Sequence, residues 1–543
     1  MFVKAIAQFD RTRITSVFNL LLLGMTNHSI QLKKPILAGR RAIAAVIAGS
    51  LISANGVKPT FAQTNAYCQF SAAAMQEKES LRQSALKGDR DAQNRYQELL
   101  DRHAQQLQQC RSKNWPQNQS IWLRLYPCDL QPGMLDKIMD RIVDRGYNKV
   151  YVEVFADGQV LLPAAANATA WPSVIRTPGT ERVDLLAQAI QKGHQRGLKV
   201  YAWMFMMNFG YSYGQRSDRQ SVLARNGKGE TSLYFVDNES QVFIDPYNIQ
   251  AKRDYYKLVN EIVRRRPDGV LFDYVRYPRG LGANSVITKV QDLWIYGDAA
   301  RQALLKRANN SKGLDLIARY SRKGSISVSD VAAVDSQYPQ EGEPMWQGRT
   351  LPSPPPSPSP TLIDAASPAS KSTAAPVLSA AQKQPRLQWE LWQLSVAHAI
   401  QGILDFLAVA AYPVQRQGIK AGAVFFPDAN QTIGQGYDSR LQPWHRFPPS
   451  LEWHAMSYAN CGNTKCITAL VQRVVQQAPA NVQIVPAIAG VWGKTISNRP
   501  SLEAQMQAIR QTTPQVNSVS HFAFSWQEPQ LDSDRKSCRN RSL

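Results

Sequence analysis

From Ser120 onward the chain alternates short apolar runs, rich in β-branched and aromatic residues, with longer amphipathic stretches. This alternation restricts the fold more than any other feature. Ile121–Tyr126, Val150–Phe155, Val200–Phe205 and Val270–Tyr274 read as strands. Between them Met134–Arg145, Val183–Arg196 and Ala251–Arg265 read as helices, the first two stopped by Gly146 and Gly197. After a long interruption the pattern resumes with a helix at Leu387–Phe406 and strands at Ala421–Phe426 and Trp453–Tyr458. A helix at Ile467–Gln477, a strand at Val482–Ile488, a helix at Leu502–Thr512 and a strand at Val519–Trp526 complete it. Strands joined through helices pair in parallel. Eight of them close most economically into a (β/α)8 TIM barrel, an α/β fold. The competing doubly wound sheet needs a glycine-rich phosphate loop after its first strand, and none is present.

The barrel halves fall at residues 118–283 and 386–530. Before them, residues 63–117 are rich in Gln, Glu, Lys and Arg and contain amphipathic helical periodicity, as expected of a helical segment packed on the barrel or serving as a spacer. The insertion after strand four has two parts. Residues 284–350 read as helical and charged, and 351–385, with only Pro and Ser from Pro352 to Pro360, read as an extended linker. A basic tail, 531–543, ends the chain.

Residues 1–62 read as an export signal. Lys33, Lys34, Arg40 and Arg41 precede the short apolar run Ala42 to Ala54, and Thr60-Phe61-Ala62 offers a cleavage site before Gln63. Translation starting at Met25 would leave a signal of ordinary length. No stable membrane span is expected after cleavage, so the chain is expected in the periplasm, cell envelope or medium. All six cysteines lie beyond the signal, as expected of disulfides in an exported chain. Cys461 and Cys466 enclose four residues and should pair, while Cys68, Cys110, Cys128 and Cys538 allow three pairings. No C-x-x-C and no neighbouring His pattern supports a metal site, and no cofactor motif is present. The net charge of +22 comes without basic runs interleaved with aromatics, which argues against nucleic acid. The plainer reading of this charge is a solubilising basic surface, and the functional one is attraction to an anionic polymer such as wall or surface glycan.

The stretch Asp268-Gly269-Val270-Leu271-Phe272-Asp273-Tyr274-Val275-Arg276-Tyr277-Pro278 combines a turn, an apolar strand and a charged end. Period-two geometry puts Leu271, Asp273 and Val275 on one face. A carboxylate on the inner face at the C-terminal end of a barrel strand is where this fold places its chemistry. The structural alternative is an Asp–Arg pair that pins a loop.

That stretch resembles the fourth-strand signature of the glycosyl-hydrolase-like 10 family, bacterial exported barrel proteins whose motif reads D-G-[IV]-x-[FL]-D-[DY]-x-[RF]-Y-P. Further pieces in the family's order are Asn148 to Val154, His194 to Trp203, Phe243 to Pro246 and Ala421 to Pro427. The chain departs from the family at Glu153-Val154-Phe155-Ala156, where Q-V-R-P is usual, and at Tyr201 to Phe205, where H-A-W-x-N is usual. The resemblance implies a glycosidase acting on a polysaccharide, with peptidoglycan glycan strands among the candidates. The alternative is a catalytically silent barrel that binds glycan.

Glycosidic cleavage needs a carboxylic acid and a second carboxylate as nucleophile or base. Asp273 is the first candidate. Glu153 is the second, because Val150, Val152 and Val154 suit the helix layer and turn Glu153 inward; an ion pair with Arg124 is its structural alternative. Arg276 stands at a spacing that lets it hold Asp273 ionised. Tyr201, Trp203, Asn208, Asp245, Tyr458, Trp492, Trp526 and Glu528 offer the aromatic faces and polar groups that sugars need, although for any one of the aromatics a place in the core is the plainer reading. Protein sequencing of the exported form is expected to begin near Gln63, and an intact N-terminus embedded in membrane would mark the segment as an anchor.

Overall fold

The computed structural model describes residues 66–234, 241–350, 378–458 and 461–538. The signal, its cleavage site and the Pro/Ser run lie outside these residues. Eight strands form the barrel: β1 Asn118–Leu123, β2 Lys149–Ala156, β3 Lys199–Phe205, β4 Gly269–Asp273, β5 Lys420–Phe425, β6 Glu452–Ala455, β7 Ala487–Ala489 and β8 Ser518–Phe522. All neighbouring pairs are parallel, in the order β6-β5-β4-β3-β2-β1-β8-β7. The remaining seam is bridged between Trp453 and Ile484 and between Met456 and Ala487, with Val485 N–H donating to Trp453 O at 2.8 Å. The eight expected strands are therefore the eight barrel staves.

Helices α3 Met134–Asp144, α4 Leu185–His194 and α5 Ile249–Val263 cover the first half. Helices α9 Ala380–Arg416, α10 Thr464–Gln477 and α11 Leu502–Thr512 cover the second. Each buries its apolar stripe against the sheet, as Ile138, Ile142 and Val143 do in α3. One crossover lacks a helix. Between β5 and β6 the chain makes a small hairpin, Thr432–Ile433 with Gly436–Asp438, which pairs with Val286–Ile287 of the insertion.

Helices α1 Ala72–Leu86 and α2 Arg90–Lys113 form a hairpin, started by Ser71 and Asp89 caps. The hairpin packs on α3 and α4 through buried charge. Lys78 pairs with Asp144, and Arg196 with Asp140 at 2.7 Å, while Tyr96 donates to Asp140 at 2.7 Å. Gly146 ends α3 with φ +79°, and a Cβ there would collide with the backbone at Tyr67 and Cys68. Cysteine pairing resolves to Cys68–Cys110, Cys128–Cys538 and the expected Cys461–Cys466. Three disulfides fit an oxidising compartment.

The insertion carries α6 Asp298–Leu305, α7 Ser311–Lys323 and α8 Val328–Gln337. Three boundaries differ from expectation. Helix α9 starts at Ala380, inside the span assigned to linker, because Ser379 caps it and Lys383 pairs with Asp335 and Glu343 of the insertion. Its 37 residues are long and apolar enough to cross a membrane, but most of its apolar positions, Leu391 and Ile403 among them, are buried in the fold, while Trp389 and Tyr412 are exposed. Strand seven starts only after Pro486, which has no N–H for the ladder. Residues 529–537, read partly as basic tail, form helix α12 Pro529–Ser537.

Arg535 of α12 explains the last correction. It donates to both oxygens of Asp129, 2.7 and 2.6 Å away, and both side chains are fully buried. Removing one partner of such a pair strands the other charge in the interior. Asp129→Ala and Arg535→Met are each expected to cost about 3–5 kcal/mol of stability, measured by denaturant unfolding, because each strands the other partner's charge, and the double replacement is expected to cost less than the sum of the two.

Candidate functional site

Strand β4 is set in register by Asp268, which accepts from Val200 N–H and His194 Nε2, both 2.8 Å away. Gly269 follows because the Tyr201 ring occupies the space of a Cβ. Four residues on, Asp273 ends the strand with its side chain inside the barrel and 7% exposed. Its Oδ2 accepts from Trp203 Nε1–H at 3.1 Å, and its Oδ1 from Tyr274 N–H at 2.7 Å. Tyr274 leaves the strand at φ +55°, which turns its amide back onto the carboxylate. Burial pushes the Asp273 carboxyl above the ordinary range, against the pull of these donors and of Arg276.

Arg276 is 6% exposed and forms no ion pair with Asp273 within 4.0 Å. Its guanidinium lies 4.4 Å over the Tyr274 ring and donates to Tyr277 O at 2.9 Å. It acts on Asp273 through space and not as the expected direct partner.

Glu153 points inward on β2, in register with Trp203 on β3, which is in turn in register with Leu271 on β4. A bulge follows between Glu153 and Phe155, a device that re-aims side chains near active sites. Arg124, just past β1, grips both Glu153 oxygens, Nε at 2.6 Å and Nη2 at 2.8 Å. The ion-pair alternative for Glu153 is therefore realised. Burial still pushes its carboxyl up, with Asp157 and Asp273 adding to the rise and Arg124 opposing it. Asp157 lies 3.9 Å from Arg124. Three adjacent strands thus bring Glu153, Trp203 and Asp273 to one end of the barrel.

Tyr458, after β6, joins this mouth. Burial and then the charge of Asp273 raise its phenol far above the ordinary value, and its ring lies 5.7 Å from Phe522. Trp526 stands at the rim under the Arg499 guanidinium, 5.3 Å away. Arg499 was not legible as a site residue, since it lies in a polar loop with no motif around it.

The other candidates lie elsewhere. Tyr201 is 1% exposed at the opposite, N-terminal end of the barrel and donates to Glu452 at 3.2 Å. Glu452 is held down to about 2 by His454, Lys149 and Lys420 against its burial. Asn208 is fully buried and accepts from Gly210 and Val242 N–H groups, a loop brace. Asp245 accepts from Tyr247 N–H and from Ala300 N–H in α6, each at 2.9 Å, anchoring the insertion. Burial brings it to about 6. Trp492 packs between Tyr67 and His521 in the outer layer, and Glu528 pairs with Arg145 at 2.8 Å. Among the described residues no group of His, Cys, Asp and Glu is arranged to hold a metal ion.

Residues 117–303 match the family glycosyl hydrolase-like 10. The glycosyl hydrolase-like 10 segment spans β1 to β4 and includes Arg124, Glu153, Trp203, Asp273 and Arg276. Glycosyl hydrolase DigH of Escherichia coli (strain K12) is 26% identical over 205 residues, 35% of this chain and 44% of that protein. The chain thus spans less than half the length of the curated relatives it matches. Among solved structures, the β-N-acetylhexosaminidase of Bacteroides fragilis NCTC 9343 is 10% identical, with TM-score 0.36 over 76% of this chain and 62% of that one. A GH18 chitinase from Pseudoalteromonas aurantia is 11% identical, with TM-score 0.31 over 78% and 100%. At these scores neither bears on the fold, which rests on the strand order.

Trp203→Phe keeps the ring but removes the donor to Asp273. The carboxylate loses stabilisation, so its pKa is expected to rise and Asp273 to take up its proton at higher pH. Titration of the Asp273 carboxyl carbon by NMR reads the shift, and no upward movement would mean that the indole N–H does not stabilise the ion.

Proposed function

We propose that this chain is an exported glycoside hydrolase that cleaves O-glycosidic bonds of a cell-wall or surface polysaccharide, peptidoglycan glycan strands among the candidates. The observation that carries the reading is Asp273 at the C-terminal end of β4. Its two oxygens are held by Trp203 and Tyr274, and Glu153 faces the same mouth from β2. Both hydrogen bonds donate to the carboxylate, so they orient it as an ionised base or nucleophile. Glu153 is assigned the proton donor, in keeping with the upward push of its burial. Tyr458 and Trp526 offer ring faces for sugars.

A silent glycan-binding barrel is favoured by one observation, the two-point grip of Arg124 on Glu153, which opposes protonation. Leaving-group chemistry separates the readings. Asp273→Asn is expected to lower turnover by several powers of ten on every glycoside. Glu153→Gln is expected to lose as much on native glycan but far less on a nitrophenyl glycoside, whose leaving group departs without a proton. Equal losses on both substrates would remove Glu153 from the acid role. Folded wild-type protein that binds glycan but releases no reducing ends would establish the silent barrel.

A further inference from the structure

Tyr201, Glu452 and His454 shut the barrel at the strand N-termini. A cavity of about 630 Å³ lies on the outer side of this floor. It is lined by the first residues of three strands, Asn118 of β1, Lys149 of β2 and Lys420 of β5. Asn481, Gln483 and Asn517, from the segments ahead of β7 and β8, line it as well. None of its described lining residues is Asp or Glu. The volume is that of a small-molecule site.

Lys149 is the unusual member. Its side chain shares the inward face of β2 with Tyr151 and Glu153, and the residue is 6% exposed. Its Nζ lies 5.4 Å over the Tyr201 ring. Among the described residues it has no hydrogen-bond partner and no carboxylate within 4.0 Å. The two carboxylates that reach it through space are already engaged. Glu452 lies 3.6 Å from Lys420 Nζ, accepts from Tyr201 OH at 3.2 Å and stands 3.3 Å from His454 Nε2. Asp268 pairs with Lys199 at 3.1 Å and accepts from Val200 N–H at 2.8 Å. Three lysines thus share two carboxylates, and burial pulls the Lys149 ammonium below its ordinary value in spite of both.

A buried ammonium is costly without acceptor oxygens around it. The protein supplies none to Lys149, and the cavity is where they can come from. Lysine recognises a carboxylate or phosphate as a point charge. Lys420, its side chain 59% exposed, adds a second cation at the rim. The carboxamides beside them both donate and accept, as hydroxyl groups require. Two of these are held in place by Ser518 Oγ, which accepts from Asn118 at 3.1 Å and from Gln483 at 3.4 Å.

We propose that this basal cavity binds a small hydroxylated anion, its acidic group held by Lys149 and Lys420 and its hydroxyls by the Asn and Gln side chains. The acid is the carboxylate of a sugar acid or the phosphate of a sugar phosphate, and the recognition chemistry is shared. The cavity lies at the opposite end of the barrel from Asp273, so the inference stands apart from the glycosidase reading.

The test titrates the full chain by calorimetry with glucuronate and with glucose 6-phosphate, and with glucose as the uncharged control. At least one of the two anions is expected to bind, and glucose is not. The tighter of the two identifies the acidic group. Lys149→Met keeps the apolar stem and is expected to weaken that binding on the order of tenfold to a hundredfold, the loss of a hydrogen bond to a charged group. Lys420→Met is expected to weaken it less, because that side chain is exposed and already has Glu452. A crystal structure of wild type with the tighter anion is expected to show its acidic group against Lys149 Nζ, and it decides the matter even where Lys149→Met does not fold. Four results each overturn the inference: neither anion binds, glucose binds as tightly as they do, folded Lys149→Met keeps wild-type affinity, or the crystal shows the anion elsewhere. None of them bears on cleavage at Asp273.

Discussion

The structure depends on joining the two ends of the barrel. Strands β1 and β8 pair in parallel from Asn118–Ser518 to Ile121–His521, about four hundred residues apart in sequence. Closing so long a loop is entropically slow, and the seam is reinforced beside it by the buried Asp129–Arg535 pair and the Cys128–Cys538 disulfide. Arg535 also donates to Arg124 O at 2.8 Å. Arg124 in turn grips Glu153. The charge that locks the fold shut is therefore two contacts from the carboxyl assigned to chemistry, so disturbing the C-terminal helix is felt at the mouth.

Inside the barrel, aromatic rings separate two ionic layers. Trp122 meets the Tyr151 ring at 4.9 Å and the Trp203 ring at 4.9 Å, edge on, and Phe522 lies 6.3 Å from Trp203. Below them Glu452, His454, Lys149 and Tyr201 form a closed cluster at the strand N-termini. Above them stand Asp273 and Glu153. Such a plug excludes water from the floor of the mouth, and that is the physical cause of the upward push on both carboxyls. The same low dielectric strengthens each hydrogen bond made to them.

The insertion after β4 is built into the barrel wall. Asp245, ahead of α5, holds α6, and Val286–Ile287 pairs with the hairpin that replaces a helix between β5 and β6. Arg349 and Lys383 tie its far end to α9. The loops carrying Arg276 and Arg440 are thereby braced from both sides, with Tyr277 N–H donating to Arg440 O at 3.0 Å.

Local periodicity carried much of this in the sequence. The eight strands and most helices were legible, because strand and helix periods are written in residues two to four apart. The inward face of Asp273 followed from strand alternation, and the Cys461–Cys466 pair from its short span. The resemblance over the fourth strand pointed to the family whose model matches residues 117–303. Tertiary structure decided what periodicity cannot encode. It chose the other two disulfides and turned seven residues of an apparent tail into the helix that closes the barrel. It also sent Tyr201 to the closed end, Trp492 and Glu528 to the outer layer, and Arg499 to the rim. Alternation tells which face a side chain takes, but height along the barrel depends on the shear between strands. The neighbours of a loop residue depend on segments hundreds of residues away. Those are properties of the closed barrel and of no shorter stretch of the chain.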